Sequence, residues 1–166
     1  MTAVSAQVKA RVEKKLKDGI KLAEAKYKIA IPMPTVVYHK RGTTAGTANY
    51  RTWTIDLNPT LLMENVDEFI ERTVPHELAH LITDKVYPES HQSAGLIRTR
   101  RGYKRAPREV HGPNWQSVCL VLGMTDITRC HQYDTTNSKV VKSNRRNIAW
   151  KCSRCNAELM LTPKKS

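Results

Sequence analysis

Residues 74 to 80 combine residue types and spacing that are typical of a zinc site. They read VPHELAH and contain the motif HExxH. Because residues four apart on a helix lie one turn above another, His76 and His80 can present both imidazoles to a single metal ion. A zinc ion with an open position lowers the pKa of its bound water to about 7, and Glu77 can accept the released proton. This chemistry hydrolyses peptide bonds; the alternative is a surface helix that carries two histidines.

His111 is the candidate for the third protein ligand that a catalytic zinc site requires. It begins the sequence HGPNW, in which Pro113 is typical of the first turn of a helix, and Gly123 is placed to end that helix. The apolar residues of this helix fall on one face and can pack against the HExxH helix: Trp115, Val118, Cys119 and Leu122. The remaining histidines are weaker candidates, and each is expected to be an ordinary polar residue: His39, His91 and His131.

The helix that carries the HExxH motif is predicted to begin near Val66. Asn65 is a suitable N-cap, and Glu68, three residues on, can complete a capping box. Apolar residues recur at helical spacing on both sides of the histidines: Val66, Phe69, Ile70, Thr73, Val74, Leu78, Leu81 and Ile82. Pro75 is expected to kink this half-buried helix, because an interior proline removes a backbone hydrogen bond at a cost of roughly 3 kcal/mol.

Residues 5 to 27 are predicted to form an amphipathic helix that packs on the core. Lysines surround its exposed face, and its apolar side is made of Val8, Val12, Leu16, Ile20 and Leu22. Pro32 and Pro34 end this unit.

A small antiparallel sheet is expected to follow. Its strands and turn are predicted over residues 35 to 38 (strand), 41 to 46 (turn) and 48 to 57 (one or two strands). Asn58 and Pro59 then supply an N-cap and a first-turn proline for a short helix that leads into the HExxH helix.

Length and composition predict one domain with a small appendage. The chain has 166 residues, of which 40% are hydrophobic, and this is enough for a modest core. We expect a first unit over residues 1 to 126 and a basic tail over residues 127 to 166. No run of 18 apolar residues and no signal-like segment is visible, so a cytoplasmic protein without a membrane anchor is expected.

Positive charge is concentrated after the HExxH helix. The formal net charge is +13, and residues 91 to 166 hold 15 lysines and arginines against 4 acidic residues, whereas residues 1 to 90 hold 13 against 11. This distribution favours a polyanionic partner, most simply DNA or RNA, although lysines that serve solubility are the alternative. The predicted nucleic-acid contacts are Arg98, Arg100, Arg101, Lys104, Arg105, Arg108, Arg145 and Arg146.

Residues 91 to 110 show no helical or strand period. Gly95, Gly102 and Pro107 predict a loop, and a loop between metal ligands must run beside the active site. Two interpretations stay open: a solvated connector, or a basic lip that holds nucleic acid near the zinc.

The tail contains the sequence Cys152-Ser153-Arg154-Cys155, which has the spacing of a zinc knuckle. Cys130 and His131 can complete a second, structural zinc site with these two cysteines, because zinc accepts mixed thiolate and imidazole ligands. Strand residues are predicted around Tyr133, Val140 and Val141. Trp150 can stack on a base or cap a small hairpin.

With these motifs in view, the chain resembles the SprT-like family of small zinc metallopeptidase domains. The resemblance rests on HELAH, HGPNW and the terminal CxxC, and it covers nearly the whole chain. Further matching stretches are residues 41 to 48, 55 to 58, 131 to 133 and 150 to 152. It implies an α+β, zincin-like minimal metallopeptidase domain with a small antiparallel sheet, an HExxH helix and a short zinc-ribbon-like tail. A complete ribbon would offer two cysteine-bearing knuckles, whereas only Cys152 and Cys155 are paired here.

The resemblance also implies roles for individual residues. His76, His80 and His111 would bind a catalytic Zn²⁺, and Glu77 would be the general base. Spartan-type members of the family cleave proteins that are crosslinked to DNA, so DNA and protein substrates are the expected partners, in the cytoplasm at the nucleoid.

Two functions therefore compete at this stage. The first is a zinc-dependent metalloendopeptidase that hydrolyses DNA-bound or crosslinked proteins. The second is a non-catalytic, zinc-containing regulatory protein that binds nucleic acid. Glu77 favours the first, because a structural zinc site is closed by four ligands and needs no adjacent base.

Overall fold

A computed structural model describes residues 3–88, 96–105, 110–125, 127, 133–137, 148–151 and 158–161. In chain order, the elements are α1 (Ala6–Tyr27), β1 (Thr35–Val37), β2 (Gly46–Asn49), β3 (Thr54–Leu57), α2 (Pro59–Glu64), α3 (Val66–Glu68), a π-helical turn (Phe69–Thr73), α4 (Val74–Val86), β4 (Leu96–Thr99), β5 (Gly102–Arg105), α5 (Pro113–Val121), β6 (Ile148–Lys151) and β7 (Glu158–Leu161). The protein is therefore of the α+β class. No helix in the described part of the chain combines the length and the apolar character that a membrane span requires.

Helix α1 forms where its pattern predicts. The Ser5 hydroxyl accepts a hydrogen bond from the Val8 backbone N–H at 3.3 Å, and the helix ends at Lys28, which has a left-handed φ of 58°. The predicted apolar side is buried except for Leu22, which is 49% exposed, so its assignment to the core side was wrong. Leu22 lies two residues after Ile20, and this spacing rotates its side chain about 200° away around the helix.

The first sheet is mixed rather than antiparallel, so this part of the prediction was wrong. Its strand order is β1-β3-β2, with β1 parallel and β2 antiparallel to the central β3. The chain reverses between β1 and β2 and again between β2 and β3, and β3 therefore runs in the direction of β1. The Asp56 carboxylate stabilises the first reversal, because it accepts hydrogen bonds from the backbone N–H groups of His39 and Lys40 at 2.8 and 3.0 Å.

Asn58 joins the sheet to helix α2, as its predicted capping role requires. Its side-chain oxygen accepts hydrogen bonds from the Thr60 and Leu61 N–H groups at 3.1 and 3.4 Å. The side-chain amide donates to the backbone oxygens of Gly42 and Thr44 at 3.0 and 3.2 Å. Since Asn58 is only 1% exposed, these bonds satisfy a polar side chain in the core and fix the loop before β2.

The helical run that contains the HExxH motif begins at Val66 as predicted, but its start and its middle differ from expectation. No side-chain capping bond forms at its start, and the Asn65 side chain instead donates to the Leu61 oxygen at 3.0 Å. A π-helical turn then precedes Pro75, with the Val74 N–H bonded to the Phe69 oxygen. The wider turn eases the contact between the proline ring and the carbonyl group four residues back, which an α-helix would make too close.

Helix α4 lies at the centre of the core, where it packs against α1, α5 and β2. Gly19 permits the close approach of α1, because a Cβ atom at this position would lie 2.8 Å from Leu78 Cδ2. Helix α5 buries Trp115, Val118 and Cys119 as predicted, its C-cap Leu122 is also buried, and Gly123 follows with a φ of 76°. Burial raises the pKa of the Cys119 thiol to about 12, which agrees with its predicted place in the core.

The segment between the histidine motifs is not simply a loop. Strands β4 and β5 form an antiparallel hairpin, and Gly102 at its turn has a φ of 112°. The sequence shows no strand period here because basic residues occupy both strands. Gly95 and Pro107 lie outside the described residues. Strands β6 and β7 pair in a second hairpin, whereas Val140 and Val141 lie outside the described residues.

Tyr133 belongs to the core and not to a strand. Its ring stacks on Phe69 with a centroid distance of 5.6 Å, and its hydroxyl lies 3.0 Å from Thr73 Oγ1. Both partners belong to the π-helical turn, so Tyr133 holds the segment that leads into α4.

We expect Tyr133→Phe to lower the free energy of unfolding by about 1 kcal/mol, because only the buried hydrogen bond is lost. Tyr133→Ala should cost about 3–5 kcal/mol, because it also leaves a cavity beside Phe69. Urea unfolding of the purified proteins measures both values. The control is Tyr50→Ala, at a tyrosine that is 36% exposed; equal costs for the two alanine variants would contradict the role of Tyr133.

Candidate metal centre

Three histidines from two elements converge at one point. His76 and His80 lie one turn apart on α4, and His111 lies two residues before α5. The Nε2 atom of His76 is 3.3 Å from the Nε2 atoms of both His80 and His111. All three side chains are half-buried, and their nitrogen atoms lie within 4.8 Å of one another. The packing of α5 on α4 thus brings together residues that are 31 positions apart in the sequence.

The donor set and its spacing fit a metal ion. Two nitrogens bound to one tetrahedral zinc at about 2.0–2.1 Å stand about 3.3–3.4 Å apart, which matches the separations of the Nε2 atoms. Neutral imidazole is a common ligand of Zn²⁺. Three imidazoles would hold the ion and leave one coordination position for a water or a substrate, as catalytic zinc sites do. The three histidines can therefore bind a metal ion in a geometry consistent with zinc.

Trp115 packs against the whole cluster. The side chain is 2% exposed, and its ring centroid lies 4.9, 5.5 and 4.6 Å from those of His76, His80 and His111. The Trp115 Nε1 atom is buried and has no hydrogen-bond partner among the described residues. This contact limits the rotation of the three imidazoles, so the indole positions the ligands as well as filling the core.

Glu77 follows His76 on α4, and its side chain is buried against β2. Its side chain is 6% exposed, and this burial raises the pKa of the Glu77 carboxyl to about 7. The positive charge of Lys40 and a hydrogen bond from the backbone of Ala48 oppose the shift and lower this pKa in part. A cation bound by the neighbouring histidines would stabilise the carboxylate further.

Gly46 provides the space that the Glu77 side chain occupies. A Cβ atom at Gly46 would lie 2.9 Å from Glu77 Cγ and 3.1 Å from its Oε1, closer than ordinary packing allows. Lys40 is held near the same strand by a hydrogen bond from its Nζ to Thr47 Oγ1 at 3.1 Å. Sequence reasoning missed both roles, because nothing in the local pattern of β2 shows that this strand faces α4.

The other predicted site residues do not join this cluster within the described part of the chain. Arg98, Arg100 and Arg101 are exposed on the β4–β5 hairpin. Lys104 and Arg105 belong to β5, but their side chains are not described. The remaining predicted site residues lie outside the described part of the chain: Arg108, Cys130, His131, Arg145, Arg146, Cys152 and Cys155. His39 is exposed and His91 lies outside the described residues.

The fold and the site define an α+β protein in which helix α4 and the segment just before α5 bring together three histidines that could bind a metal ion. The model of the SprT-like family matches residues 10–136. Protein SprT of Serratia proteamaculans (strain 568) is 35% identical over 119 residues, which cover 72% of this chain and 59% of that protein. Protein SprT of Salmonella arizonae is 39% identical over 124 residues, which cover 74% of this chain and 64% of that protein. The chain belongs to the SprT-like family.

The match covers only about three fifths of the length of these curated relatives. A similar match is Protein SprT of Proteus mirabilis (strain HI4320), which is 35% identical over 126 residues, covering 76% of this chain and 64% of that protein. No solved structure matches the chain.

Loss of a group that hydrogen-bonds to a metal ligand weakens metal binding by roughly 10- to 100-fold. We expect His111→Ala to weaken zinc binding by more than this, because a direct ligand is removed. Competition with a chromophoric chelator measures the affinity. The control is His39→Ala, at an exposed histidine outside the cluster, which should leave the affinity unchanged. An unaltered affinity in His111→Ala would place the third ligand elsewhere.

Proposed function

We propose that the protein is a zinc-dependent metalloendopeptidase that acts on DNA-bound or DNA-crosslinked proteins. The observation that carries the proposal is the convergence of three histidine side chains, one of which, His76, directly precedes the buried Glu77 on α4. Two ligands and the carboxyl come from one helix, in the arrangement that the zincin-like HExxH motif implies. The three-histidine set leaves room for a reacting molecule, which a closed structural site does not.

The catalytic step follows from the chemistry of the side chains. When bound, zinc supplies a Lewis acid that polarises the scissile carbonyl group and makes the attacking water more acidic. The Glu77 carboxylate accepts the proton of this water and then donates it to the leaving amine nitrogen. A general base is most effective when its pKa lies near the working pH. Burial raises the pKa of Glu77, and a cation bound by the histidines would lower it again. His76, His80 and His111 hold the ion, and Trp115 keeps their rings in place.

Strand β2 is suited to align a peptide substrate. It is an edge strand of the mixed sheet, and its residues Gly46 and Ala48 contact the Glu77 side chain. A peptide in extended conformation can add to a sheet edge through main-chain hydrogen bonds. Such a peptide would lie along the strand that contacts Glu77.

Association with DNA is proposed on the charge distribution and on the family resemblance. Net positive charge is concentrated after residue 90 and attracts a phosphate backbone. The nucleic-acid contacts proposed from the sequence are the eight basic residues between Arg98 and Arg146 named above. We also propose a tail unit over residues 127 to 166, in which Cys130, His131, Cys152 and Cys155 hold a second zinc, and a cytoplasmic location at the nucleoid.

We expect Glu77→Gln to bind zinc like the wild type but to hydrolyse an unfolded protein roughly 100- to 10,000-fold more slowly, since only the proton acceptor is lost. The control is Glu13→Gln, which removes an exposed carboxylate in a surface ion pair with Lys17. Cleavage is followed by electrophoresis with and without DNA. Equal rates for Glu77→Gln and wild type would reject this mechanism. A wild-type protein that binds zinc and DNA without cleaving any protein would favour the regulatory alternative.

We expect Gly46→Ala to reduce hydrolysis by about 10- to 100-fold, because the added Cβ atom would displace the Glu77 carboxyl. The three histidines are untouched, so the affinity for zinc should stay within about twofold of wild type. Rates and affinities are measured as above. A variant with full activity would show that the Glu77 side chain is not confined by β2.

A further inference from the structure

Lys40 is a half-buried lysine whose side chain crosses the mixed sheet toward its outer strand. Its backbone N–H donates to Asp56 Oδ1 on the central strand β3, and its Nζ donates to Thr47 Oγ1 on β2 at 3.1 Å. Asp56 and Thr47 are register partners in the sheet. The ammonium group therefore lies at β2, which is an edge strand of the described sheet.

The Lys40 ammonium group has no carboxylate at ion-pair distance among the described residues. The Asp56 carboxylate instead accepts the backbone N–H groups of His39 and Lys40 through its Oδ1 atom. The charge of Lys40 lowers the pKa of Glu77, so the ammonium group acts on that carboxyl from beyond contact distance. A half-buried charge has lost part of its hydration, and an anionic group brought by a substrate would replace it.

Strand β2 offers main-chain groups to an added strand at Gly46 and Ala48. The Asn58 N–H donates to the Ala45 oxygen at 2.8 Å, which makes these two residues a hydrogen-bonded pair. Because bonded and non-bonded pairs alternate in an antiparallel ladder, Gly46 and Ala48 turn their N–H and C=O groups away from β3. The hydrogen bond from the Ala48 backbone to Glu77 agrees with this, since it places the carboxyl at the outer edge of β2.

The two faces of β2 differ in their chemistry. A Cβ atom at Gly46 would lie 2.9 Å from Glu77 Cγ, so Gly46 and Ala48 face α4. Side chains alternate along a strand, so Thr47 projects from the opposite face, where its hydroxyl accepts the Lys40 hydrogen bond. A peptide added to this edge would alternate in the same way. Its side chain opposite Thr47 would meet Lys40, and the two neighbouring side chains would point toward α4.

We propose that Lys40 is a specificity-determining residue that selects peptide substrates with an aspartate or glutamate opposite Thr47. An ammonium group and a carboxylate form a charge-assisted hydrogen bond, whereas a lysine or arginine at this substrate position would be repelled. Lys40 and Glu77 lie beside the same stretch of β2, so the acidic residue would be close to the scissile bond. This inference rests on the proposed peptidase function and adds a class of substrate to it, an extended segment with an acidic residue at one position.

The test uses the full chain loaded with zinc and a set of quenched fluorescent peptides in which one glutamate is moved along an otherwise neutral sequence. We expect one position at which glutamate raises kcat/KM roughly 5- to 20-fold over glutamine, because a hydrogen bond to a charged group forms there. Glutamate directly before or after this position should give no increase, since those side chains project from the other face.

Lys40→Met should abolish the preference for glutamate, and Lys40→Glu should reverse it in favour of lysine. Lys40→Arg, which keeps the charge, should retain it. The measured quantity is the ratio of kcat/KM for the glutamate and glutamine peptides, because any effect of Lys40 on Glu77 acts on both peptides and cancels. The control is Lys26→Met, at an exposed lysine of α1, which should keep the wild-type ratio. Far-UV circular dichroism checks that each variant is folded.

Binding of the same peptides to the Glu77→Gln variant, followed by fluorescence anisotropy, gives a second measurement that needs no hydrolysis. Tighter binding of the glutamate peptide that is lost on adding Lys40→Met supports the inference. If the wild type then cleaves no peptide, only the peptidase proposal is contradicted. A wild-type enzyme that cleaves and binds the glutamate and glutamine peptides equally overturns this inference alone. The same holds if Lys40→Met slows the cleavage of both peptides by the same factor.

Discussion

The burial of the Glu77 carboxyl is the constraint on which the rest of the structure depends. A carboxylate taken out of water loses hydration, and the protein must replace part of it. The backbone of Ala48 and the charge of Lys40 do so, while Gly46 leaves the space that the side chain fills. Helix α4 and strand β2 must therefore lie at a fixed separation. A change in either element would move the carboxyl relative to the histidines of the same helix.

Several features of the fold maintain this separation. Gly19 lets α1 approach Leu78 on one side of α4, and Trp115 brings α5 against the histidines on another. Asn58 fixes the loop before β2 through its hydrogen bonds to Gly42 and Thr44. The π-helical turn before Pro75, held by Tyr133, sets the entry of the chain into α4. Such turns occur frequently at functional sites, and here the turn ends three residues before His76, the first histidine of the cluster.

Features that depend on local sequence were predicted well. The extent of α1, the cap at Asn58, the helix after Pro113 and its end at Gly123 follow from side chains that act on their own backbone. The histidine cluster was also predicted, because two of its ligands share a helix face. The third histidine, His111, could be assigned because the apolar face of α5 indicated that this helix packs on α4.

Features that depend on distant contacts were predicted poorly. The parallel pairing of β1 with β3 depends on the order of the strands in the sheet, and the residue pattern of a single strand does not reveal that order. The hairpin of β4 and β5 was missed because its strands carry charges where alternation would show apolar residues. The contact of Gly46 with Glu77 joins residues 31 positions apart and leaves no periodic signal. Asn65 bonds back to Leu61 in the preceding helix, so the capping box that its spacing suggested does not form.

The central claim is that three histidines hold one zinc ion and leave a position open beside Glu77. The most direct measurement is a crystal structure of the zinc-loaded protein with anomalous diffraction at the zinc edge. The account predicts a peak about 2.0–2.1 Å from the Nε2 atoms of His76, His80 and His111, with a fourth ligand that is not a protein side chain. A peak elsewhere only, or a fourth protein side chain that closes the site, would contradict it.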